Sequence, residues 1–117
     1  MSAYQDTMAI FSDGRFREGT ELWMGPELLK KDRETFAVPP NKELRISDGR
    51  LKLLVGHAAN LVNAMSCFTK CTEDEMRNAY RYLFVCMDCQ KYRLDPKAAK
   101  KALNIEEYEN KYWRKQA

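Results

Sequence analysis

From Ser47 onward the apolar positions recur every three or four residues. Leu51, Leu54, Val55, Ala58, Leu61, Val62 and Met65 follow i, i+3, i+4, i+7 spacing, which puts them on one face of a helix capped by Ser47 or Asp48. A second helix is announced by Thr72-Glu73-Asp74-Glu75, a capping box with Thr at the N-cap and Glu at N3, and its period runs through Gln90. It carries two apolar stripes. Met76, Ala79, Tyr80, Leu83 and Met87 form one; Tyr82, Val85, Cys86 and Cys89 form another, turned by roughly 130° on a helical wheel. A helix apolar on two sides needs two neighbours. The connection around Thr69 and Lys70 is short, so the two helices are expected to form an antiparallel hairpin. Asp95 and Pro96 then supply the N-cap and first residue of a final helix, whose inner face is read as Ala98, Ala102, Ile105 and Tyr112. Asn104 with Glu107 reads as a second cap that would divide it in two.

The first 46 residues are less regular and hold most of the turn signals: Asp13-Gly14, Gly19, Gly25-Pro26 and Val38-Pro39-Pro40. The Asp-Gly pair between short apolar runs predicts a small β-hairpin near residues 8–18. Pro26 opens a short helix over 27–36 with Leu28, Leu29 and Phe36 apolar, and Pro39-Pro40 ends it. The fold expected is therefore mainly α: a helical hairpin plus a C-terminal helix in a small bundle, residues 47–117, preceded by an extended N-terminal arm, residues 1–46.

Cysteine spacing changes this picture less than it first suggests. Cys67, Cys71, Cys86 and Cys89 run Cys-x3-Cys-x14-Cys-x2-Cys, close to zinc-binding patterns. The intervening helix separates Cys71 from Cys86 by about 22 Å of rise, so four sulfurs cannot meet at one metal. The remaining three-ligand set is His57 with Cys86 and Cys89, set against a reading of His57 as a hydrogen-bonded flank residue, and no metal or other cofactor is expected. A redox role for Cys86-x-x-Cys89 is disfavoured, since the pair falls in the last turns of its helix, where the dipole raises a thiol pKa.

Charge and composition exclude more than they assign. The 117 residues hold 20 Lys and Arg interleaved with 17 Asp and Glu, for a net charge of +3, and 44% are hydrophobic, which fits one globular domain. No apolar run reaches the ~18 residues needed to span a bilayer, though peripheral contact is left open. With one histidine, no Gly-x-Ser-x-Gly elbow and no Gly-rich phosphate loop, no catalytic residues are expected. The run from Asp95 to Tyr108 resembles a helix-turn-helix unit with Asn104 at its turn. That resemblance implies a small DNA-binding regulator as the alternative reading. The spacing is one residue longer than the usual pattern, and the would-be recognition helix opens on Glu106, Glu107 and Glu109, which phosphates repel.

The favoured expectation is a non-catalytic accessory subunit that docks on a larger assembly, as small subunits of membrane or mitochondrial complexes do, in a reducing intracellular compartment or the mitochondrion. Phe16, Leu22 and Trp23 on the arm, with Tyr82 and Val85 from the second stripe, are the residues expected to meet the protein partner. A metal or redox protein ranks third.

Overall fold

The computed structural model describes residues 24–44 and 46–113. Among these the chain is a small helical bundle. Helix α1 is Pro26–Thr35, α2 is Asp48–Ser66, α3 is Glu73–Tyr92, α4 is Pro96–Ala102 and α5 is Ile105–Tyr108, which runs on as a π-helical stretch over Glu109–Trp113. The predicted β-hairpin near residues 8–18 lies outside the described residues.

Local chemistry starts α2, α3 and α4 where the sequence says it should. Ser47 Oγ accepts from the Arg50 N–H at 3.2 Å, and Asp95 Oδ1 accepts from the Lys97 N–H at 3.0 Å. The capping box of α3 is complete: Thr72 Oγ1 accepts from the Glu75 N–H at 3.1 Å and Glu75 Oε1 accepts from the Thr72 N–H at 3.2 Å. Helix α3 ends at Arg93, whose φ of 52° is left-handed and turns the chain into the next segment.

Both stripes of α3 find neighbours. It packs against α1, α2, α4 and α5, and its buried side chains are Ala79, Tyr82, Leu83, Val85, Cys86 and Cys89. Opposite them lie Val55, Ala58, Ala59, Leu61, Val62 and Met65 of α2. The predicted hairpin is thus the centre of the molecule.

Two details differ from the sequence reading. Ala98 and Ala102 are exposed, while Pro96, Ala99 and Leu103 face the core. The phase is shifted because α4 has only seven residues and stops at a left-handed Asn104, φ 57°, so one continuous helical wheel does not apply across 96–112. Asn104 indeed divides the segment, but through its backbone: its side chain makes no capping hydrogen bond, and Asn tolerates the left-handed region better than most residues.

The described part of the N-terminal region is fastened to the bundle. Phe36 belongs to the core cluster, the Val38 N–H donates to the Arg93 carbonyl at 2.7 Å, and the Asp95 N–H donates to the Phe36 carbonyl at 2.8 Å. Asp32 of α1, with its side chain 4% exposed, receives a two-pronged Arg81 guanidinium at 2.9 and 2.6 Å. The network goes on from Arg81 Nη1 to Asn78 Oδ1 and from Asn78 Nδ2 to the Tyr108 hydroxyl, tying α1, α3 and α5 together. Such a pair is specific in geometry, and removing one partner leaves a desolvated charge behind. Arg33 bonds Asp88 at 2.9 Å and lies 4.6 Å from the Tyr92 ring centre, a second tie from α1 to α3.

Candidate functional site

Helices α2 and α4 both rest on α3, yet they scarcely touch each other. Along that side of α2 lie two hollows that share Leu54, the first facing α4 and the second facing α5 and the π-helical stretch, and together they form a channel. One, of about 460 Å³, is lined by Glu43, Leu44, Ile46, Arg50 and Leu54 on one side and by Asp95, Pro96 and Lys97 on the other, two carboxylates facing two cations. The second, of about 210 Å³, continues past Leu54 along Ala58 and Leu61 to Ile105 and Trp113, with Tyr82 of α3 also lining it. From Arg50 to Leu61 this wall measures about 16 Å at the α-helical rise.

The π-helical stretch shapes the far end. Ile105, Glu109 and Trp113, four residues apart, all line the smaller hollow, while Tyr108 and Tyr112 point into the core. A π-helical turn is wider than an α-turn and recurs at functional sites. Glu109 is held by Lys100 of α4 at 2.8 Å. Trp113 meets His57 of α2 with ring centres 5.5 Å apart and planes tilted by 53°. Glu75 anchors the stretch from below: its Oε2 accepts from the Tyr112 hydroxyl at 2.9 Å and from Lys111 Nζ at 3.3 Å. Burial pushes the Glu75 carboxyl up, but hydrogen bonds from Thr72, Tyr112 and Lys111 outweigh it and hold the group below its ordinary range.

The metal candidates are dispersed in role. His57 is an exposed wall residue against Trp113, and Cys86 and Cys89 are fully buried in or beside the core. Burial, reinforced by Cys89 and partly offset by a hydrogen bond with Tyr82, pushes the Cys86 thiol up to about 12. Cys89 is likewise raised by burial and then by Asp95, and its Sγ lies 3.1 Å from the Leu94 carbonyl it donates to. Among the described residues no three His, Cys, Asp or Glu side chains lie together as a metal site. Cys67 and Cys71 stand apart from these at the base of the hairpin, as free thiols.

Of the expected partner-binding residues, Phe16, Leu22 and Trp23 lie outside the described residues. Tyr82 and Val85 are 6% and 2% exposed, covered by the chain's own helices, and burial raises the Tyr82 hydroxyl pKa strongly. The sequence reading did not single out the channel, Arg50, Lys97 or the Lys100–Glu109 pair. The helix-turn-helix segment places Glu106 and Glu107 on exposed positions at the start of α5. Among the described residues no helix is long and apolar enough to cross a membrane. No family model, no curated protein and no solved structure matches this chain.

Proposed function

We propose that this protein is a non-catalytic interaction subunit, and that it docks on a larger assembly by receiving a helical segment of a partner protein in the channel between α2 and α4. The observation that supports this is the gap itself: two helices seated on a common third one leave a cleft about two helical turns long from Leu54 to Leu61, in which Leu54 and Trp113 are partly exposed and Ala58 and Leu61 are buried beneath them. A helix laid into such a groove buries its apolar face at i, i+3, i+4, i+7 spacing. The aromatic at the channel end, Trp113, is of the kind that dominates binding energy. Cys86 and Cys89 are buried, and the Cys86 thiolate is disfavoured.

The test is stoichiometric recovery. Tagged protein expressed at its native level is expected to co-purify with one reproducible partner set, and Leu54→Glu is expected to release that set, with a melting curve to show that the variant, whose side chain packs in part against the core, is still folded. Recovery unaffected by Leu54→Glu would remove the channel from the account.

A further inference from the structure

We propose that the smaller hollow, where α2 faces α5 and the π-helical stretch, is a binding site for a small uncharged aromatic molecule of indole size. This goes beyond the docking role and does not depend on it. Five parts of the fold converge on the space of about 210 Å³: Ala58 and Leu61 of α2, Tyr82 of α3, Lys100 of α4, Ile105 of α5 and Trp113 of the π-helical stretch. Ala58, Leu61, Tyr82 and Ile105 are buried residues, so the space is a recess into the core rather than a face of it. Interiors otherwise pack tightly, and atoms lining a void lose contacts on one side. An apolar cavity of about 150 Å³ stays dry and takes up benzene. The volume here suits a bicyclic ring.

The walls select the chemistry. Trp113 and His57, with ring centres 5.5 Å apart and planes tilted by 53°, form an aromatic corner against which another ring can pack by face and by edge. The two opposite charges lining the hollow, Lys100 and Glu109, are bonded to each other at 2.8 Å. At the base, the Tyr82 hydroxyl is engaged with the Cys86 thiol. A charged ligand would have to break the Lys100–Glu109 pair or enter the recess without a counter-ion, and either is costly. An uncharged ring needs neither.

The experiment is an NMR titration of the full chain, labelled at its Ala, Leu and Ile methyl groups, with indole and then with indoleacetate and tryptamine, which add an anion and a cation to the same ring. Expected are saturable shifts of the Ala58, Leu61 and Ile105 methyls and of the Trp113 ring N–H, with the methyls of Leu53, which does not line the hollow, unmoved. Indole should bind about tenfold or more tightly than either charged analogue. Ala58→Met, which extends a flexible side chain into the space, is expected to abolish the shifts. Where that variant fails to fold, Trp113→Ala is read in its place and should weaken indole by about tenfold or more through loss of the ring wall. Shifts that grow without saturating, or that spread to Leu53, would overturn the site. A charged analogue that binds as tightly as indole would overturn the ligand class. Wild-type affinity in a folded Ala58→Met, or in Trp113→Ala, would place the binding elsewhere and overturn the proposal. Indole binding that arises only in Trp23→Ala would show that the chain's own N-terminal segment fills the hollow, which overturns it too.

Discussion

Asp32 is the residue on which the placement of α1 depends. It stands in phase with Leu29 and Phe36 on the inner face of its helix, where an apolar side chain would be the default. Asp32→Ala leaves Arg81 without its counter-ion in a half-buried position and is expected to cost about 3 kcal/mol in urea unfolding. The paired replacement Asp32→Leu/Arg81→Met should recover most of that loss, because both desolvation penalties go together. The sequence reading named Leu28, Leu29 and Phe36 on this helix and not Asp32, whose partner Arg81 lies 49 positions away with no local rule to join them. The cysteines give a second residue-scale expectation. Cys67 should alkylate readily in the native protein and Cys71 more slowly, since burial and then Glu75 raise its pKa. Cys86 and Cys89 should react only on unfolding, so a mass count of two labelled thiols in buffer and four in denaturant is the expected result; four in buffer would contradict the burial described.

Helices are where local chemistry was most readable, because caps act over three or four residues. Ser47, Thr72 and Asp95 were all identifiable before any fold was known, and each makes its capping bond. The inner face of α4 was misread for a reason of the same scale: Asn104 is left-handed, and that one backbone setting resets the helical phase between Ala99 and Ile105. Asn104→Ala is expected to destabilise by about 1 kcal/mol, and Asn104→Gly to be neutral or mildly stabilising, in the same thermal melt. Glu75 couples two elements, the start of α3 and the π-helical stretch, and this coupling has a pH signature. Its carboxyl is held below the unfolded value, so its contribution is complete above that value and is lost as pH falls through the folded one. Glu75→Gln should therefore melt below wild type at neutral pH, with the gap closing as pH drops below about 4.3. A gap that stays constant down to pH 3 would mean that the charged form of Glu75 is not what fastens the stretch.

The molecule as a whole is arranged around α3, and its channel follows from that arrangement rather than from any motif. Arg50 and Lys97 are distant in sequence and come together only because α2 and α4 share a seat, so no pattern of spacing could have announced them. The bundle itself was legible because the hairpin α2–α3 carries its own periodicity and caps. Tyr82 and Val85 illustrate the limit of such reading: a second apolar stripe says that a neighbour exists, and here the chain supplies it. Two apolar side chains lie outside the channel and serve as internal references, Leu53 at 59% and Tyr92 at 39% exposure. The most direct measurement is hydroxyl-radical footprinting of the full chain, alone and bound to the partner it co-purifies with. The account predicts that oxidation of Leu54, His57 and Trp113 falls several-fold on binding while Leu53 and Tyr92 are unchanged. Protection of Leu53 or Tyr92 with Leu54 and Trp113 left reactive would contradict it.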